Sequence, residues 1–160
     1  MRPLAKDAPA ASAGSGHIEL ISLEINEQEF CIDIRVVREI RGWTPVTPMP
    51  QTPSYIRGVI NLRGTVMPII DLRNRLGLGV TEPSSRHVIV VVQHENRTAG
   101  LLVDAVQETF TVDLDLLQPP PAMNFTSDEL FVDGVIPLEG RMLSRLVVAA
   151  LLPSDGLRAA

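Results

Sequence analysis

Seven residues occur twice in this chain. Gly58-Val59-Ile60-Asn61-Leu62-Arg63-Gly64 and Gly134-Val135-Ile136-Pro137-Leu138-Glu139-Gly140 agree at five positions, 76 residues apart. Upstream, Val37-Arg38-Glu39 parallels Val106-Gln107-Glu108 at an offset of 69. One match of this kind is common turn chemistry, since apolar strands often flank a Gly turn. Two matches in the same order point to an internal duplication, and the offset difference of seven to an insertion in a connecting loop.

Strand patterning surrounds both copies. Ile21, Leu23 and Ile25 alternate with Ser22 and Glu24, and Phe30, Ile32 and Ile34 alternate after a turn at Asn26-Glu27-Gln28. Gly58 to Asp71 reads as two strands around Arg63-Gly64, with Gly64 supplying a positive φ. An apolar strand is expected over His87–Val92, extended chain over Ala99–Val103 and Val106–Val112, and two strands around Glu139-Gly140. Ile34, Val37 and Ile40 recur at a spacing of three, which predicts a short helix over 34–40 with Glu39 on a different face. One helical turn is expected at Leu72–Leu76 and another near Leu151; Pro119, Pro120 and Pro121 mark a connection over 113–129.

Each half then holds about five short strands, and a sheet that small hides its edges by closing. The expected architecture is all-β: two five-stranded barrels packed together, with short helices and a groove where they meet. Residues 17–153 are expected to form this unit. The Ala-, Ser- and Gly-rich stretch 1–16 and residues 154–160 are read as tails.

Composition narrows the functions. A net charge of −5 and an aromatic content of 4% speak against general nucleic-acid binding. No run approaches the roughly 20 apolar residues of a membrane span, so direct membrane insertion is not expected. The lone Cys31 lies in an apolar run and reads as a core residue of a protein in a reducing cytoplasm. His17, His87 and His94 belong to no metal-ligand pattern, and no phosphate loop or nucleophile elbow is present. No cofactor, no metal and no catalysis are expected; a hydrolase reading lacks a nucleophile–base pair. Asp113/Asp115 and Asp128/Glu129 read as capping or solvated loop charge.

The basic residues are unevenly placed. Arg35, Arg38, Arg41, Arg57, Arg63, Arg73 and Arg75, half of the 14, lie within 35–75, where only Glu39 and Asp71 are acidic. Arginine's planar fork suits protein recognition. Arg63, at the tip of the first repeated turn, is expected to pair with Glu39 and to fix local geometry for a partner.

At these residues the chain resembles a known family. Val36-Val37-Arg38-Glu39-Ile40-Arg41-Gly42, Tyr55-Ile56-Arg57-Gly58-Val59-Ile60-Asn61-Leu62-Arg63-Gly64 and Val66-Met67-Pro68-Ile69-Ile70-Asp71-Leu72-Arg73 are similar to the CheW adaptors of bacterial chemotaxis. Gly100 to Val106 and Gly134-Val135-Ile136 extend the match. The resemblance implies two SH3-like barrels and a non-enzymatic, cytoplasmic adaptor recruited to membrane receptor arrays. It would bind the cytoplasmic hairpin tip of methyl-accepting chemoreceptors on one surface and the regulatory domain of the histidine kinase CheA on another. It further implies a receptor-binding set of Val37, Glu39, Gly58, Arg63 and Val106; residues for the kinase contact are not assigned. An adaptor of another chemosensory pathway, such as surface motility, would carry the same residues.

Overall fold

A computed structural model describes residues 16–119 and 131–153. The strands are β1 (His17–Ile25), β2 (Gln28–Asp33), β3 (Val37–Gly42), β4 (Ile56–Leu62), β5 (Thr65–Asp71), β6 (Val88–His94), β7 (Arg97–Val103), β8 (Ala105–Asp113), β9 (Val132–Leu138) and β10 (Arg141–Leu146). Two helices of one turn each, α1 (Leu72–Arg75) and α2 (Val148–Leu151), follow β5 and β10. The fold is two five-stranded sheets, ordered β3-β6-β7-β5-β4 and β8-β1-β2-β10-β9.

These orders superpose strand for strand: β3 on β8, β6 on β1, β7 on β2, β5 on β10, β4 on β9. In each sheet the third and fourth strands run parallel and the other pairs antiparallel. The edges are drawn together by matching backbone bridges, Thr47 to Val59 and Gln118 to Val135. The duplication is therefore real, but permuted. The N-terminal hairpin β1–β2 completes the C-terminal barrel, while residues 37–103 form the other barrel without a break.

The register irregularities repeat as well. A bulge lies between Ile56 and Gly58 opposite Ile69 and Ile70; its twin places Val132 and Gly134 opposite Leu146 and Arg145. A second pair falls at Val37-Arg38-Glu39 and Val106-Gln107-Glu108, the other repeated segment. Bulges re-aim strands at barrel corners, so the repeated residues are those that bend the sheets.

Both faces of the sheets are buried where the barrels meet. Ile60, Met67, Ile69, Ile89, Val91 and Leu102 fill the first barrel, and Leu20, Cys31, Val112, Ile136 and Leu143 the second. A larger shared core draws Ile21, Leu23, Ile25, Phe30 and Ile32 from one barrel and Val90, Val92, Leu101 and Val103 from the other. Hence Val88–Val92 of β6 is a continuous run of aliphatic residues: alternate side chains enter its own barrel and the junction. The junction is filled rather than open. At its rim lies a polar cavity of about 550 Å³ lined by Glu24, Glu27, Arg73, Glu82, Arg86, His87 and Asp104, among others.

Arg75 clasps the junction. Its guanidinium lies 4.1 Å from the Tyr55 ring centroid and 4.9 Å from that of Phe131. Its Nε and Nη2 donate to the carbonyls of Leu151 and Ala150, at 3.2 and 3.0 Å. One arginine thus ties α1 of the first barrel to α2 of the second.

The helix expected over 34–40 is corrected. Residues Ile34–Val36 form one 3-10 turn, capped by Asp33, and Val37–Gly42 is strand β3. Strand pairing with β6 overrides the three-residue spacing, and the β-branched Val37 and Ile40 suit a strand. Ile40, counted toward a buried helical face, is 47% exposed. The Leu72 turn forms where expected, with Asp71 as its N-cap and Gly77 beyond its end. Residues 1–15 of the expected tail 1–16, the expected tail 154–160, Asp128/Glu129 and the prolines at 120 and 121 lie outside the described residues.

A candidate docking site on the first hairpin

The sequence-derived residues fall in three settings. The first is the charged cluster at the β4–β5 turn. Leu62 pairs with Thr65, so Arg63 and Gly64 are the two-residue loop, both with positive φ (52° and 85°). That is the twist-matched hairpin turn, and Asn61 Oδ1 fixes it by accepting from the Gly64 N–H at 2.9 Å. The turn holds the Arg63 guanidinium against Glu39 of edge strand β3, and Arg63 Nη2 donates to Glu39 Oε1. The expected pair is present, on a strand rather than a helix.

Burial alternates along β3, with Val37, Glu39 and Arg41 half-buried and Arg38, Ile40 and Gly42 exposed. Across the bulge Val37 pairs with Val92 and Glu39 with Val91, so the two side chains take opposite faces, as expected, although on a strand rather than a helix. Glu39 and Arg41 pair with Val91 and Ile89 and so share a face, which makes a contact the sequence reading missed. Arg41 Nη1 donates to Glu39 Oε2 at 3.0 Å. A period-two reading of Glu39 and Arg41 would have found it. The Arg63 hydrogen bond, then that of Arg41, holds the Glu39 carboxyl below the usual carboxylate range.

The second setting is the rim of the shared core, where Val37 and Val106 both pack, half-buried, as counterparts in the two barrels. The third is Gly58, which lies in β4 against the chain that closes the barrel. A Cβ there would sit 2.4 Å from the Thr47 carbonyl oxygen. Gly134 has the same role beside Gln118, at 2.9 Å from its carbonyl oxygen. The glycine common to both repeats admits the bridging backbone.

The second hairpin carries its own cluster, also missed. The Glu139-Gly140 tip has φ values of 52° and 80°, like its counterpart. Directly after the tip, Arg141 donates to Glu29 at 2.8 Å and Glu108 at 3.0 Å. Glu108 is the repeat counterpart of Glu39. The first hairpin has two arginines around one carboxylate, and the second has two carboxylates around one arginine.

The remaining candidates are structural. Cys31 is fully buried, and burial pushes its thiol up to about 12. His87 accepts at Nδ1 from the Ser84 N–H, 3.1 Å away, and its Nε2 lies 3.4 Å from Asp104. Asp113 caps the following 3-10 turn by accepting from the Asp115 N–H at 2.9 Å. Among the described residues no group of three His, Cys, Asp or Glu is placed to hold a metal ion, and no helix is long and apolar enough to cross a membrane.

Two packed five-stranded barrels that present charged side chains on a hairpin tip, around residues that serve the fold, define a protein-docking module. Comparison with known proteins agrees. The family model described as CheW-like domain matches residues 19–156. The chain is 48% identical over 146 residues to the chemotaxis protein CheW of Rhizobium meliloti, covering 91% of this chain and 94% of that one. It is 46% identical over 149 residues to the probable chemotaxis protein CheW of Rhizobium etli, covering 93% and 96%. The crystal structure of the scaffolding protein TtCheW from Thermoanaerobacter tengcongensis superposes with a TM-score of 0.78 at 33% identity, covering 87% of this chain and 94% of that one. The chain belongs to the CheW-like domain family.

Proposed function

We propose that this chain is a non-enzymatic adaptor that couples transmembrane chemoreceptors to the histidine kinase CheA in chemotaxis signalling. Family membership across nearly the whole chain supports the coupling role. The observation that supports the site is the pairing of Arg63, on the Asn61-Leu62-Arg63-Gly64 hairpin, with Glu39 of β3. The receptor's cytoplasmic hairpin tip would lie against Val37, Glu39, Arg63 and Val106, with Gly58 shaping the strand beneath. An amphipathic helix meets such a surface through apolar contacts, and the arginine fork orients it. The regulatory domain of CheA takes a separate surface, and receptor binding brings the adaptor from the cytoplasm to membrane arrays.

The test is Arg63→Glu. It puts two carboxylates side by side and removes the fork, so capture of a receptor cytoplasmic fragment should fall at least tenfold. Melting temperature should hardly change, because an exposed ion pair contributes little to stability. Undiminished capture by the variant would refute the receptor site.

A further inference from the structure

Glu39 has two cationic partners, and they are held differently. Arg63 sits on a hairpin tip with 70% of its side chain exposed, whereas the side chain of Arg41 is 36% exposed and that of Glu39 25%. Arg41 extends from the same strand as Glu39, two residues on, and Glu39 is the acceptor of its side-chain hydrogen bond. Its Nε is buried without an acceptor, so the inner edge of the guanidinium is enclosed by protein. Arg41 is thus fixed beside the carboxylate, while Arg63 can leave by rotating its own side chain.

What happens to Glu39 when Arg63 leaves decides the cost. A carboxylate with part of its surface covered by protein loses favourable electrostatics when its only cation leaves. With Arg41 in place it stays neutralised. We infer that Arg41 is a positioning residue for partner docking: it keeps Glu39 neutralised so that Arg63 can be handed over to an acceptor on the receptor. The inference rests on the receptor-site reading of Arg63 given above.

The second hairpin supports it by contrast. Arg141 is gripped by two carboxylates, Glu29 and Glu108, and cannot leave without stranding both. Only the first hairpin combines a spare cation with an exposed one. The two repeats share a frame and differ in stoichiometry, which fits one hairpin for exchange and one for bracing.

The experiment is a double-mutant cycle on the full chain, titrated with a soluble receptor cytoplasmic fragment that contains the hairpin tip. Arg41→Gln should weaken binding about two- to fivefold, the range of a half-exposed ion pair. In the Arg63→Ala background the same substitution should change nothing, because no hand-over remains. Arg41→Lys, which keeps the charge, should restore most of the loss. Carbon-detected titration of the Glu39 carboxyl should show its midpoint rising in Arg41→Gln, a shift that general loosening of the barrel would not give. Equal effects of Arg41→Gln with and without Arg63, or no effect in either, would overturn the inference. Loss of binding in Arg63→Ala with no coupling to Arg41 would leave the receptor site standing and sink only the hand-over. Unchanged binding in Arg63→Ala would sink both.

Discussion

Gly58→Ala isolates what the repeated glycine does. The new methyl carbon would lie 2.4 Å from the Thr47 carbonyl oxygen and 2.8 Å from its carbon. Neither is the end of a flexible side chain, so the backbone must yield by most of an ångström. That opens the paired bonds of the bridge, Thr47 N–H to Val59 O and Val59 N–H to Thr47 O, both 2.9 Å. Each is worth about 0.5–1.5 kcal/mol net, and the φ of 152° adds roughly 1 kcal/mol for a residue with a side chain. The sum is about 2–4 kcal/mol, or a melting temperature lower by roughly 4–16 °C in a chain of this size. Gly64→Ala is the control. Its φ is 85°, but a Cβ there meets nothing within 4 Å, so only the conformational cost of about 1–2 kcal/mol applies. Gly134→Ala should fall between them, because its nearest contact at 2.5 Å is the movable Leu117 side chain. Urea unfolding of the three variants gives the ranking. If Gly58→Ala costs no more than Gly64→Ala, close backbone approach is not the reason for this glycine.

Arg75→Ala should destabilise by about 2–4 kcal/mol, removing two charge-assisted bonds to α2 carbonyls and two ring contacts. Arg75→Lys should recover only part of this, since an ammonium cannot reproduce the flat stack; full recovery in urea unfolding would contradict the clasp. Cys31 should resist a thiol reagent at pH 8 until denaturant unfolds the chain, and prompt stoichiometric labelling of the native protein would contradict its burial. Because the folded thiol is raised to about 12 from 9.0, stability from this group is intact below pH 9 and is lost as pH rises through about 12, which alkaline unfolding of Cys31→Ala against the parent would detect.

Much of the architecture was legible because it is written in local chemistry. The Arg63-Gly64 and Glu139-Gly140 tips, the alternation of β1 and β2 and the α1 turn with its Asp71 cap each depend on neighbours in sequence. The permutation was not legible. Hairpin β1–β2 superposes on β6–β7 at the offset of 69 that relates Val37 to Val106, yet Ile21–Ile34 and Val90–Val103 share no identical residue in register. Burial on both faces demands apolar side chains without specifying which. The helix expected over 34–40 failed for a related reason. Three β-branched residues at a spacing of three satisfy a helical count, and only β6, some fifty residues away, decides for a strand. That error hid the contact of Arg41 with Glu39, which the two-residue strand period brings onto one face. Arg141 was hidden differently: its partners Glu29 and Glu108 come from strands distant in sequence, so no local pattern joins them.

The central claim is that the chain couples receptor to kinase, and reconstitution tests it most directly. Receptor fragments in membranes are mixed with CheA, with and without this chain, and kinase activity and co-sedimentation are read together. The account predicts that CheA sediments with receptors and becomes receptor-responsive only when the chain is present, and that Arg63→Glu abolishes the response while remaining folded. Equal recruitment and activity of CheA without the chain would contradict it.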